Sequence, residues 1–246
     1  MLAFSAARAG PPRRIETIAM QGPDLVIFDC DGVLVDSEMI ALGQTRAALG
    51  AAGLALTHAE AVDRFLGFSL DSILQRAEAD LAAPLPPGFR ADLSRAILDR
   101  FGRELRGIPG VAEAVAGLAC KVCVASSSAP ERIRLSLEVA GYAGLFEPHI
   151  FSATMTARGK PHPDLFLLAA RAMGVPPSRC LVVEDSVPGV IAAGRAGMPA
   201  FGFVGGSHFS GLAQAEALRE AGAALIFDDM SALPALIAQA VAAAAP

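Results

Sequence analysis

Short apolar runs recur along this chain, separated by longer stretches with helical spacing. They are Leu25 to Phe28, Val122 to Ala125, His149 to Ser152, Leu181 to Val183, Ala200 to Val204 and Leu225 to Phe227. Runs of strand length with little alternation read as strands covered on both faces. Strands that alternate with helices predict an α/β fold, a Rossmann-like parallel sheet flanked by helices. Ser128-Ala129-Pro130-Glu131 has capping-box spacing, Ser first and Glu three later, and predicts a helix that Ser128 caps. Asp185-Ser186 before Pro188 marks another helix start directly after a strand.

Residues 37–106 break this rhythm. Ala47-Ala48-Leu49 and Ile73-Leu74 lie on apolar helical faces, Pro84 to Gly88 reads as a turn between helices, and no strand pattern intervenes. About seventy helical residues far exceed what a crossover needs. The expectation is an inserted α-helical cap domain over 37–106, splitting a Rossmann-like core into 20–36 and 107–246. The first nineteen residues differ again. They hold Arg8, Arg13 and Arg14, two prolines and one acid, Glu16. Such a composition resembles a transit peptide; the plainer expectation is a disordered tail, or a start at Met20.

With 246 residues, 53% of them apolar, the chain can bury a large core. A net charge of −5 and the lack of a basic block argue against nucleic acid and anionic membrane as partners. No apolar stretch reaches the length of a membrane span. Cys30, Cys120, Cys123 and Cys180 do not form an extracellular disulfide pattern. Cys120 and Cys123 have redox spacing, but residues i and i+3 of a strand face opposite ways and cannot bridge. Buried thiols and a cytoplasmic location are expected.

The costly residues cluster at strand ends. Asp29 and Asp31 close the first apolar run, and ionised carboxylates there need a cation, a hydrogen-bond cage or a shared proton. Ser126 ends the second run, Lys160 lies in Gly159-Lys160-Pro161-His162-Pro163-Asp164, and Glu184-Asp185 end the fourth. Open parallel sheets bind ligands at that edge. The chemistry suggested is phosphoryl transfer through an aspartyl phosphate. Magnesium would reduce the repulsion between nucleophile and phosphate, on hard oxygen ligands from Asp29, Glu184 and Asp185. Lys160 would balance the remaining charge, Ser126 would donate to a phosphoryl oxygen, and Asp31 would serve as general acid and base.

These motifs resemble the haloacid dehalogenase superfamily, in its subgroup of sugar-phosphate phosphatases and β-phosphoglucomutase-like enzymes. They stand as Phe-Asp-Cys-Asp-Gly-Val-Leu-Val-Asp-Ser (28–37), Val-Ala-Ser-Ser-Ser (124–128), Lys-Pro-His-Pro-Asp (160–164) and Val-Val-Glu-Asp-Ser-Val-Pro-Gly (182–189). The resemblance spans about residues 24 to 230. It implies Asp29 as nucleophile, Asp31 as acid/base, Ser126, Ser127 and Lys160 as phosphate contacts, and magnesium on Asp29, Asp185, Glu184 and the Asp31 backbone carbonyl. It also implies that the insert closes over the site.

Asp31 argues against dehalogenation, because a halide needs no acid to leave. A phosphosugar mutase is the rival enzyme. Similar mutases carry a His and an Arg where this chain has Ala41 and Leu70, so no clamp for a second phosphate is evident, although Arg64 lies close by. Hydrolysis of small sugar or sugar-acid phosphates is the favoured reading. An aspartyl-phosphate signalling module is the non-enzymatic alternative, set aside because such modules lack a helical insert. The expected partner is a small phosphorylated metabolite, and the expected state a monomer or weak homodimer. Phe65, Phe68, Ser69, Arg64, Gln75 and Glu38 are candidates for reading the leaving group. Gly205-Gly206-Ser207-His208 reads as a flexible turn.

Overall fold

The computed structural model describes residues 22–209 and 212–243. The expected N-terminal tail, 1–19, lies outside the described residues, as does Met20. Among them are six strands, β1 (Leu25–Phe28), β2 (Lys121–Ser126), β3 (Ile150–Ser152), β4 (Cys180–Glu184), β5 (Ala200–Phe203) and β6 (Leu225–Phe227). They form one parallel sheet in the order β3-β2-β1-β4-β5-β6. Each expected strand is present, with no end shifted by more than a residue.

Five helices lie between β1 and β2, and the first four form the insertion: α1 (Glu38–Ala51), α2 (His58–Phe65), α3 (Leu70–Leu81) and α4 (Phe89–Glu104). The others are α5 (Val111–Gly117), α6 (Pro130–Val139), α7 (Ala143–Phe146), α8 (Asp164–Met173), α9 (Val187–Arg195), α10 (Leu212–Glu220) and α11 (Leu233–Ala243). The fold is therefore α/β, a Rossmann-like sheet with helical layers and a helical insertion after its first strand.

β1 shows why its sequence is continuously apolar. All four of its residues are fully buried. Val26 and Phe28 join one hydrophobic cluster, Leu25 and Ile27 the other, as the two-residue period of a strand requires. Neither face meets water. The inserted helices share the first cluster: Leu93, Ile97 and Phe101 of α4 lie four apart on one face and join Phe28 and Val124 in a continuous core. Cys123 and Cys120 likewise pack against opposite clusters, and all four cysteines are free thiols.

The helix starts follow local chemistry, with one correction. Thr57 and Glu60 form a reciprocal capping box at α2, and Ser186 caps α9 by accepting from Gly189 N at 3.1 Å. Ser128 does not cap α6. Ala129 holds that position, and Pro130, which has no N–H, occupies the first turn. The Ser128 hydroxyl donates instead to Asp31 Oδ2 at 2.6 Å, a charged acceptor and the stronger partner.

The chain goes outward from β1 to β2 and β3, then returns to place β4 on the other side of β1. That reversal leaves a crevice at the carboxyl ends of β1 and β4, where open α/β sheets bind ligands.

Candidate active site

Asp29 is the first residue beyond β1. Its N–H donates to the Val183 carbonyl at 3.0 Å, so the strand ladder fixes its backbone. The chain then turns back at once, with Leu34 and Val35 N–H groups donating to the Cys30 carbonyl. Gly32 makes the turn at φ +80°, and a β-carbon there would stand 1.8 Å from Asp185 Oδ2. Glycine at 32 is thus needed twice, for the left-handed backbone and for the close approach of Asp185.

Lys160 comes from the loop after β3 rather than from a strand end, yet its ammonium reaches the centre. It donates to Asp29 Oδ1 and to Glu184 Oε1, both at 2.5 Å, and to the Ala125 carbonyl at 3.3 Å. The ammonium also lies over the Phe166 ring, 5.0 Å from its centroid. The other Glu184 oxygen accepts from Asp185 N, Ser186 N and the Ser186 hydroxyl at 2.8–3.0 Å. Gly189 leaves the room: a β-carbon there would lie 1.9 Å from Glu184 Oε1. Burial opposes the charge on Lys160, but Asp29 and Glu184 outweigh it and raise its affinity for the proton well above the ordinary value.

Asp31 stands in a cage of donors. The hydroxyls of Ser37 and Ser128 and Nη2 of Arg132 each approach within 2.6 Å, and Ser126 Oγ lies at 3.5 Å. Burial pushes its carboxyl up, but the Arg132 guanidinium and the two hydroxyls win and hold it below the usual carboxylate range. Asp29 and Asp185 behave oppositely. Burial, together with the negative charge of Glu184 and neighbouring carboxylates, pushes both well up, and Lys160 opposes this only in part. Cys30, between the two aspartates, is no rival nucleophile. Burial and the adjacent carboxylates push its thiol well up, and the thiolate is the reactive form.

Asp185 has a partner that the sequence did not disclose. His208 is 7% exposed and its Nε2 lies 3.1 Å from Asp185 Oδ2, while its buried Nδ1 meets no protein partner among the described residues. The segment is a turn, as expected, but not a loose one. Ser207 donates from its backbone and hydroxyl to Asp36 Oδ1, at 3.0 and 2.8 Å, and pins the loop across the first motif.

Asp29, Asp31, Ser126, Ser127, Lys160 and Asp185 all line one cavity of about 720 Å³ between the sheet edge and the inserted helices. Glu184 does not. It is fully buried beneath the floor and occupied by Lys160 and Ser186. Of the leaving-group candidates, Glu38, Phe68 and Ser69 line the cavity, whereas Phe65 is core, and Arg64, paired with Asp80, and Gln75 lie off its wall. Arg132 and His208 were missed, and both line it.

The donor set suits a hard divalent cation. Among the described residues Asp29, Asp31, Glu184 and Asp185 pair with only two Lys or Arg side chains, Lys160 and Arg132, and the carboxylates of Asp29 and Asp185 are the two left short of positive charge. Among the described residues no three acidic, His or Cys side chains already converge as a cage; Lys160 and His208 hold the carboxylates in its stead.

Comparison with known proteins agrees with this geometry. Residues 23–197 match the family model of haloacid dehalogenase-like hydrolases. A 6-phosphogluconate phosphatase of Escherichia coli is 31% identical over 186 residues, covering 75% of this chain and 84% of that protein. A conserved haloacid dehalogenase-like protein of Agrobacterium tumefaciens superposes with a TM-score of 0.78 at 40% identity, covering 89% of this chain and 99% of its own. A hydrolase of the same family from Deinococcus radiodurans, solved with bound phosphate and sodium, superposes with a TM-score of 0.71 at 35% identity, over 89% and 97% of the two chains. No helix among the described residues is long and apolar enough to cross a membrane. The chain belongs to the haloacid dehalogenase-like hydrolases, and within them to the phosphoric monoester hydrolases.

Proposed function

We propose that this chain is a magnesium-dependent phosphatase that hydrolyses sugar or sugar-acid phosphates through an aspartyl phosphate on Asp29. One observation carries the reading. A buried carboxylate at a strand end is held by Lys160, beside a second carboxylate two residues on, in a cavity of metabolite size. The 6-phosphogluconate phosphatase relative supports the substrate class, and the phosphate in the Deinococcus radiodurans neighbour supports the ligand.

Asp29 and Asp185, with the backbone carbonyl of Asp31, would hold the magnesium; Glu184 is diverted to Lys160 and Ser186 and could join only by releasing them. Bound there, the ion supplies charge neutralisation between nucleophile and phosphate. The residues of the chain do the rest. An Asp29 oxygen attacks phosphorus and the bond to the leaving oxygen breaks, giving an aspartyl phosphate. Asp31 donates its proton to the departing alkoxide. Asp31 then takes a proton from the water that attacks the same phosphorus, releasing inorganic phosphate and regenerating the Asp29 carboxylate. Lys160, Ser126 and Ser127 hold the phosphoryl oxygens. Helices α1–α4 act as a cap that excludes bulk water, with Phe68, 40% exposed, at its mouth.

Hydrolysis is preferred over phosphosugar mutation because Arg64 is paired with Asp80 and off the cavity wall, and Arg90, the cap cation on that wall, is paired with Asp71. A panel of sugar and sugar-acid phosphates, assayed with magnesium and with EDTA, tests the proposal. Magnesium-dependent phosphate release is expected. No release from any ester, with transfer detected only in the presence of a sugar bisphosphate, would move the reading to a mutase.

His208 gives a second test. Groups that orient metal ligands typically contribute about 10–100-fold to metal affinity. His208→Ala is expected to weaken magnesium binding by about that factor, measured by calorimetry on the free protein, while saturating magnesium restores most of the turnover. Unchanged magnesium affinity would reduce His208 to a packing residue.

A further inference from the structure

Arg132 is a cation without enough to do. It projects from α6 into the cavity wall, with its side chain 21% exposed. Among the described residues only Nη2 of its donor groups meets an acceptor, Asp31 Oδ1, and Nε is buried without a partner. The guanidinium plane lies over Phe101 of α4, 4.9 Å from the ring centroid, so the cap helix fixes its orientation. A planar fork held in place but largely unpaired is built to meet another acceptor.

In the chemistry proposed above, on which this inference rests, Asp31 must face the leaving oxygen rather than the guanidinium. The Ser37 and Ser128 hydroxyls, each at 2.6 Å, keep the Asp31 carboxylate paired when Arg132 turns away from it. A buried guanidinium released from Asp31 needs a replacement anion. Among the described residues no second carboxylate is hydrogen-bonded to it. Glu38 lies near Arg132 and attracts it, but its carboxylate accepts a backbone hydrogen bond from Gly67.

We propose that Arg132 binds a carboxylate on the leaving group, which makes this a phosphatase for sugar-acid phosphates in preference to neutral sugar or sugar-alcohol phosphates. The substrate's carboxylate takes the place of Asp31 on the fork and leaves Asp31 to face the leaving oxygen. A second phosphoryl group fits less well. It would bring up to two negative charges to one arginine in an acidic cavity, and the nearest further cation on the wall, Arg90, is paired with Asp71.

A matched pair of open-chain esters tests this. 6-Phosphogluconate and glucitol 6-phosphate differ only at carbon 1, a carboxylate in one and a hydroxymethyl in the other. Initial rates with wild type, Arg132→Gln and Arg132→Lys give KM and kcat for each. Calorimetry with Asp29→Asn, alone and combined with Arg132→Gln, gives binding without turnover. Wild type is expected to favour 6-phosphogluconate. Arg132→Gln is expected to cut the ratio of the two kcat/KM values by about 10–100-fold, carried by the KM for 6-phosphogluconate, while kcat falls alike for both esters as Asp31 loses its partner. Arg132→Lys is expected to recover part of the ratio. A ratio that Arg132→Gln leaves unchanged overturns the inference, as does a wild type that favours glucitol 6-phosphate or glucose 1,6-bisphosphate. The two readings fail separately. Asp29-dependent hydrolysis indifferent to Arg132 leaves the phosphatase standing and removes the carboxylate site. Arg132-dependent binding of 6-phosphogluconate without hydrolysis does the reverse.

Discussion

Asp29→Asn is expected to abolish phosphate release, by about 10⁴-fold or more, while the protein stays folded. The amide has the shape of the carboxylate but neither the charge nor the lone-pair basicity to attack phosphorus, so the aspartyl phosphate cannot form. Stability should not follow activity. Burial and the nearby carboxylates push the Asp29 carboxyl well up, so its ionised form is strained against Glu184, Asp185 and Asp31. Replacing it with a neutral amide removes that repulsion, at the loss of one contact to Lys160, which keeps Glu184. A thermal midpoint no lower than wild type, with turnover at background, is the expected pair of readings. Residual turnover above about 1% would show that a group other than Asp29 takes the phosphoryl, and the mechanism proposed here would fall.

What could be read from the sequence depended on whether a residue's cost was visible locally. Asp29 and Asp31 announced themselves because an apolar run of full burial ends on them. Asp185 did the same at the end of β4. The strands were legible for the same reason: neither face of β1 meets water, so its sequence has no polar residue to confuse the pattern. Arg132 and His208 left no such trace. Arg132 follows a helix start with ordinary helical spacing, and its partner lies 101 residues away. His208 sits among glycines that fit a turn, and only the fold brings it to Asp185. Ser128 shows the complementary error. Its spacing to Glu131 is that of a capping box, and the local pattern lost to a charged acceptor supplied by a distant strand end. Glu184 and Asp185 are adjacent in sequence and look equivalent, yet one lies under the floor and the other in the cavity. Strand alternation separates neighbouring residues in this way.

Lys160→Met should cost both stability and turnover, and magnesium should restore only the first. The ammonium is the shared partner of Asp29 and Glu184, at 2.5 Å from each, and its side chain is 5% exposed. Methionine keeps an unbranched apolar side chain and removes the charge, together with its contact to the Phe166 ring. Taking one member from a buried ion pair typically costs about 3–5 kcal/mol, because the remaining charge is stranded. For a chain of this size that corresponds to about 6–20 °C in thermal midpoint. Turnover should fall by about 10²–10³-fold or more, since the phosphoryl oxygens lose a fixed cation. A divalent ion on Asp29 and Asp185 can replace the missing positive charge beside Asp29, so added magnesium should raise the midpoint of the variant more than that of wild type. It cannot replace the donor that reaches the phosphoryl group, so the rate should not return. The double variant Lys160→Met, Glu184→Gln separates the two effects. With the stranded carboxylate neutralised, stability should recover beyond the sum of the single changes while turnover stays low. A Lys160→Met protein as stable as wild type without magnesium would mean that Asp29 and Glu184 do not need the ammonium to coexist. One that still turned over normally would remove Lys160 from the phosphate site.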